Sequence, residues 1–441
     1  MTLPPADKAP DSSFALLREG FLFITNRCRK YKTSLFKTRL MLEKAYCMQG
    51  REAAQLFYDP EYFERAGAVP GLVQDTLFGR DAVQTMDGAR HQHRKSLFLS
   101  ITAPEKVEHF AYLLDAEWRR AIGKWMQRPK HDPVILFHAA QEILCRAVCA
   151  WTGVPLPDAE AAPRAHDLFL MIDAFGSVGL RHWRGRFARR RCEKWIGDMV
   201  EETRAGVYRP GEETALYAIA WHRTLEGVLL SRQMAARELL NILRPTVAIS
   251  YYIAFAALAL HIHPACRDKL RQDKNDYIDL FIDEVRRFFP FAPFLGARAR
   301  RSFTWQGCPF RQGQLAVLDL YGTDHSPQLW HRPESFNPER FADRPSVDYA
   351  LIPQGGGDAA TGHRCPGENI TTAALQCALY FLINVIDYRV PGQDFSYNLS
   401  RMPTYPRSGF VIDDIRPRAS SDEMRPAYVP AAYYLGQTAV D

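Results

Sequence analysis

Apolar residues recur at three- and four-residue spacing along most of the chain. Between 104 and 126, Val107, Phe110, Leu114, Trp118, Ala121 and Trp125 fall on one helical face. The same period predicts helices near 13–30, 134–151, 159–175, 182–205 and 275–289, and a longer one from about 231 to 261. Ser34 to Met41 alternates instead, which predicts a strand, with Ala45 to Met48 pairing to it as a hairpin. Short strands are expected around 294–304 and 314–320, and closing strands near 388–391 and 409–413. Thr102-Ala103-Pro104-Glu105 reads as a capping box, Thr102 accepting from the backbone and Glu105 reaching back. Ile370 to Ile386 is apolar enough to be a buried helix. The pattern as a whole predicts a mostly α fold with small peripheral β-sheets.

Composition sharpens this. With 441 residues and 47% hydrophobic content, the chain can bury one large core. No repeat or Pro/Gly/Ser linker divides the middle, so 13–415 reads as a single domain. Residues 1–12 read as a disordered tail and 416–441 as a C-terminal tail. A net charge of only +6, without a basic block, gives no reason to expect a nucleic-acid partner. The densest basic stretch, Arg181 to Lys194, is interleaved with Trp183, Phe187 and Trp195 and reads more readily as an amphipathic surface helix than as a docking site. Nine cysteines, irregularly spaced, do not make a disulfide framework; Cys145 and Cys149, one helical turn apart, read as packed thiols. The first twenty residues lack an apolar signal region, and Val247 to Leu260 is too short for a membrane span. A cytoplasmic protein is expected.

The candidate chemistry centres on Gly362-His363-Arg364-Cys365-Pro366-Gly367-Glu368, between the glycine-rich Gln354-Gly355-Gly356-Gly357-Asp358 and the apolar run. Pro366 suits a first helical position, which places Cys365 at the N-cap, with the N–H groups of Gly367 and Glu368 aimed at its sulfur. That favours a thiolate, the form that ligates metal. An axial ligand to haem iron and an inert buried thiol both fit this stretch alone. His91 and Lys95 share a helix face, as a cationic pair for haem propionates or as a solvated face. Gln84 lies in a turn just before them. The sharpest anomaly is Leu243-Arg244-Pro245-Thr246-Val247 inside the longest apolar helix. Pro245 should kink that helix and free the carbonyl of Asn241. Arg244, among Ile242, Val247 and Ile249, must meet an internal carboxylate, a backbone carbonyl or an anionic ligand. Glu284 and Arg287 lie three apart on one helix, and Arg340 in Pro338-Glu339-Arg340-Phe341 is spaced to complete a charge cluster.

The order E-x-x-R, P-E-R-F, then a glycine-rich cysteine loop opening an apolar helix resembles the haem-thiolate cytochrome P-450 superfamily, over roughly 13–415. The sequence departs from the usual superfamily pattern twice. Arg244-Pro245 stands where most members have an acid-threonine pair, and the cysteine loop lacks its usual phenylalanine and carries a small insertion. Both departures resemble the bacterial fatty-acid peroxygenase family.

That resemblance implies the P-450 fold, with haem b buried between the long kinked helix and the cysteine loop. It implies Cys365 as the axial thiolate and metal ligand, and Arg244, beside Pro245, as the grip on a fatty-acid carboxylate. Gln84 would be a distal-pocket residue. Arg65, His91, Lys95 and Arg298 would contact the propionates. Read from the residues themselves, Phe78, Phe289, Phe291 and Pro293 are candidates for apolar walls around an acyl chain, or ordinary core residues. Glu284, Arg287 and Arg340 would be structural.

The implied reaction is hydroxylation of long-chain fatty acids at the α or β carbon by hydrogen peroxide, without a redox partner protein. In the family a histidine at the Gln84 position tends to accompany decarboxylation to a terminal alkene, so the glutamine favours hydroxylation over that alternative. The missing acid-threonine pair counts against a reductase-dependent monooxygenase. A non-catalytic haem sensor would need an output module that is not visible.

Overall fold

The computed structural model describes residues 4–272, 277–343 and 347–418. The eight longest α-helices among the described residues frame the molecule: α1 (Gly88–Ile101), α2 (Pro104–Met126), α3 (Leu136–Thr152), α4 (Asp158–Asp173), α5 (Leu180–Arg204), α6 (Arg232–Ile262), α7 (Tyr277–Phe288) and α8 (Glu368–Tyr380). The longest, α6, runs through the centre and packs on α3, α4, α5 and α8. Ser231 caps it by accepting from the Met234 N–H at 3.1 Å. Almost every residue from Ala235 to Leu260 is buried, which answers why so apolar a helix needs no membrane: its neighbours are other helices.

A five-stranded sheet flanks the helices. Its strands are β1 (Leu35–Leu40), β2 (Glu43–Met48), β3 (Phe63–Glu64), β4 (Phe294–Ala299) and β5 (Leu315–Asp319), in the order β1-β2-β5-β4-β3. Only the β2–β5 pair is parallel. A three-stranded sheet joins Val134–Ile135, Val411–Pro417 and Ile386–Arg389. The mostly helical architecture with peripheral sheets is therefore as expected.

Several local expectations are corrected. Residues 4–12 are not a disordered tail. Asp7 N–H donates to the Lys37 carbonyl and Ser12 N–H to that of Arg39, both at 2.8 Å, so this segment covers the edge of β1. The helix expected over 13–30 is broken at Gly20, whose φ of 56° allows the chain to turn where a Cβ would strike the backbone of Leu399 and Ser400. Thr102 makes no capping box. Its hydroxyl donates to the Phe98 carbonyl at 3.0 Å, closing α1, while α2 starts with Pro104 at its first position. The strand expected over 294–304 ends at Ala299, and Phe303–Trp305 forms a separate hairpin with Cys308–Phe310. The final strand reaches Pro417, past the expected boundary at 415; the tail from 419 to 441 lies outside the described residues, as does the expected start of α7 at 275.

Candidate haem-thiolate site

The cysteine loop is held from three sides. Gly355 and Gly357 take φ values of 97° and 82°, which only glycine adopts freely, and this folds the loop against Tyr58. Lys95 donates to the carbonyls of Gly362 and Arg364 at 2.5 and 2.7 Å. Glu368 accepts from Arg364 and Arg286, both at 2.5 Å, tying the loop to α7. The Cys365 sulfur receives the Gly367 N–H at 3.4 Å, with the Gln354 amide at 3.9 Å.

Cys365 does not sit at the N-cap. Helix α8 begins at Glu368 with Gly367 as its cap, so the sulfur gains one backbone donor rather than two. Burial pushes the Cys365 thiol up, and the Gly367 N–H with the charges of Lys95 and Arg286 offsets that only in part. The thiolate expected from the helix end therefore needs a bound metal ion to displace the proton.

The opposite wall is built on α6. Arg244 is 4% exposed, has no acidic partner among the described residues, and donates to the Leu77 carbonyl above the Phe78 ring. Burial, and then the charge of Arg189, lower its pKa to about 9, with Cys365 near enough to pull the other way. The one acid on α6, Glu238, is engaged elsewhere: Arg94 on α1 donates to it at 2.5 Å. Of the alternatives open for Arg244, the internal ion pair is thus excluded by geometry, and a backbone carbonyl leaves the charge uncompensated. Asn241, whose carbonyl Pro245 leaves without its helical donor, bridges the pocket wall with its side chain. Its amide lies 3.1 Å from the Phe78 carbonyl and 3.4 Å from the Gln84 Oε1.

His91, Lys95 and Arg65 converge below. The His91 ring stacks on His363 at 4.1 Å between centroids, and burial holds its pKa down at about 3, so it is neutral. Arg65 is buried over the Phe57 ring and reaches only the Phe57 carbonyl. Lys95, its pKa lowered by burial to about 8, reaches only carbonyls. Neither buried cation makes an ion pair among the described residues, Asp87 and Asp358 acting on them only at a distance, and the carboxylate edge of a haem would supply the missing contact.

Two expected assignments do not hold. Arg298 pairs with Glu43 at 2.5 Å and with the Gly67 carbonyl on the sheet surface, so its charge is already met. Phe289 is packed into the core, stacked on Phe255 at 4.6 Å and bounded by Phe288, Phe336 and Tyr397, which leaves no face for an acyl chain. Pro293 is a buried joint whose carbonyl accepts from the Leu320 N–H. Phe291 stacks on Tyr252 of α6 at 4.4 Å and stays half-buried. The charge cluster forms as expected: Arg287 grips Glu284 at 2.7 and 2.8 Å, both buried, and the half-buried Arg340 lies 3.0 Å from Glu284.

Sequence reasoning missed Arg189, which donates to the carbonyls of Leu77 and Phe78 at 2.8 and 3.2 Å. It is buried while Arg190 and Arg191 beside it are exposed, a helical period hidden in a run of three identical residues. Arg94 was also missed; Asn241 was read only for its freed carbonyl and Glu238 only as the one acid within a turn of Arg244, not as the partner Arg94 holds.

A family model described as Cytochrome P450 matches residues 270–402. Cytochrome P450SP alpha (CYP152B1), in a structure with (R)-ibuprophen, is 45% identical, covering 92% of this chain and 99% of that one at a TM-score of 0.89. Cytochrome P450EX alpha (CYP152N1), in a structure with myristic acid, is 39% identical, covering 95% and 100% at 0.91. Among curated proteins, cytochrome P450 71B24 of Arabidopsis thaliana is 32% identical over 128 residues, 28% of this chain and 25% of that relative. The chain thus spans about a quarter of the length of that plant relative, and all or nearly all of the two solved structures.

Proposed function

This chain belongs to the bacterial fatty-acid peroxygenase family of haem-thiolate cytochromes P-450, and on that premise we propose that it hydroxylates long-chain fatty acids at the α or β carbon with hydrogen peroxide. Its cofactor is haem b with a cysteine thiolate on the iron, a role assigned to Cys365. Arg65, His91 and Lys95 are the residues that would hold the propionate edge. When bound, the haem supplies peroxide cleavage and oxygen transfer, with the thiolate's electron density favouring O–O cleavage.

The observation that carries this reading is Arg244. A buried guanidinium with no carboxylate partner among the described residues is a receptor for one, and its planar fork matches a carboxylate bidentately. Arg244 would hold the substrate head while Phe78, Phe291 and neighbouring apolar side chains of α6 keep water from the acyl chain. A fixed head fixes which carbons lie nearest the reacting oxygen, and those are the α and β carbons. Peroxide cleavage also needs a proton moved from one oxygen to the other, which is general acid–base work. No side-chain acid is free for this on α6, because Glu238 is held by Arg94. The carboxylate gripped by Arg244 is placed to carry that proton, so the substrate completes the machinery and only acids turn over. No redox partner protein is then needed, and a cytoplasmic setting suits a peroxide-driven enzyme.

The test is incubation of haem-loaded protein with myristic acid and hydrogen peroxide, without a reductase, with products identified by mass spectrometry. Hydroxy acids at C2 or C3 are expected. Terminal alkene as the main product would favour decarboxylation, and product only with a reductase would overturn the peroxygenase reading.

A further inference from the structure

Helix α5 presents two faces with different tasks. Its inner face buries Ala188, Arg189, Cys192 and Ile196, and through Arg189 it holds the Leu77–Phe78 segment beside Arg244. Its outer face places Leu180, Trp183, Arg184, Phe187, Arg190 and Lys194 within an arc of about 120° at helical spacing. All six are exposed. Single exposed apolar side chains need no explanation, but Leu180, Trp183 and Phe187 share one face of α5, at 79%, 48% and 49% exposed, and Val178 just before it is 65% exposed. The rings of Trp183 and Phe187 lie 6.2 Å apart, with the guanidinium of Arg186 over one and that of Arg190 over the other. Lys194 pairs with Asp198 and Arg191 with Asp167. Arg184 and Arg190 have no acidic partner among the described residues, so the stripe is left positive.

We propose that this face docks on an anionic lipid surface, with Val178, Leu180, Trp183 and Phe187 at the acyl boundary and Arg184 and Arg190 on the headgroup phosphates. Charge complementarity selects this occupant. A second copy would set the same unpaired arginines against each other across a two-fold contact. A nucleic acid would match the cations and leave Val178 and Leu180 without apolar neighbours. The docked face lies across α5 from the Leu77–Phe78 segment, so one helix would separate a lipid surface from the residues beside Arg244. That last link rests on the fatty-acid reading; the docking itself does not.

The experiment uses haem-loaded protein without fatty acid or peroxide, sedimented with phosphatidylcholine vesicles and with vesicles carrying about 30% phosphatidylglycerol. Binding to the anionic vesicles is expected, weakened roughly ten-fold by raising the salt to about 0.5 M. The W183E/F187E and R184E/R190E variants should each lose about ten-fold in affinity while keeping the wild-type absorption spectrum and melting temperature. No sedimentation with any vesicle, equal binding to both compositions, or full binding by both variants would overturn the proposal. A wild-type dimer that W183E/F187E dissociates, without vesicle binding, would do the same and assign the face to a second copy. Because no turnover is read, failure here leaves fatty-acid hydroxylation standing, and vesicle binding by an enzyme inactive on fatty acids would leave docking standing.

Discussion

Arg94 holds Glu238 at 2.5 Å in the interior, and this pair leaves Arg244 without an acidic partner among the described residues. The two arginines are both buried, yet they divide their work: one neutralises the only carboxylate of α6, the other keeps its charge for a ligand. The division rests on which helix supplies the arginine. Arg94 reaches Glu238 from α1, and Arg244 projects from α6 toward Leu77 and Phe78.

Replacing Arg244 by alanine should therefore abolish hydroxylation of fatty acids while the haem stays bound. Loss of a buried charge-assisted contact costs about 3 kcal/mol, roughly a hundred-fold or more in kcat/KM. Arg244→Lys should recover only part of this, since an ammonium keeps the charge and loses the fork. Spectral titration with myristic acid, alongside product analysis, checks both variants; an R244A enzyme with full activity would refute substrate-assisted cleavage.

Lys95 bonds two carbonyls of the cysteine loop. Lys95→Met keeps the stem's packing but leaves those carbonyls unmet, at about 1–3 kcal/mol. Weaker haem retention is expected, seen as faster haem transfer to an excess of apomyoglobin.

Glu284 compensates two buried arginines at once. Glu284→Gln would leave both charges uncompensated, a loss of about 3–5 kcal/mol. Urea unfolding should show a correspondingly lower midpoint, and an unchanged midpoint would mean that water or backbone carbonyls carry the pair.

Three histidines set an acid limit. Burial depresses His91 and His325 to about 3 and His222 to about 4, all below the ordinary 6.5. Between those values and 6.5 the unfolded chain binds protons that the folded one refuses. Stability should therefore fall as pH drops from about 6.5 toward 4, by up to about 1.4 kcal/mol per pH unit for each histidine. Urea midpoints measured across that range test this, and His325→Gln should flatten the slope.

Helix positions, the lone cysteine loop and the oddity of Arg244-Pro245 were legible in the chain order, because apolar period and proline chemistry are local. Boundaries were not. Gly20 breaks a helix because Leu399 passes over it, and residues 4–12 are ordered because β1 has an edge to cover. Local pattern carries neither fact. The Glu284 cluster was readable because two of its members share a helix turn.

The sequence by itself pointed to a glycine-rich cysteine loop and an arginine set in an apolar helix, and to the one family of haem proteins they resemble. Only the tertiary structure decided that Arg244 has no acidic partner among the described residues, that Arg298 pairs with Glu43, and that Phe289 belongs to the core. The reason is physical. A charge's partners and a ring's neighbours come from elements far away in the chain, and burial, not spacing, fixes the cost of leaving a charge unpaired.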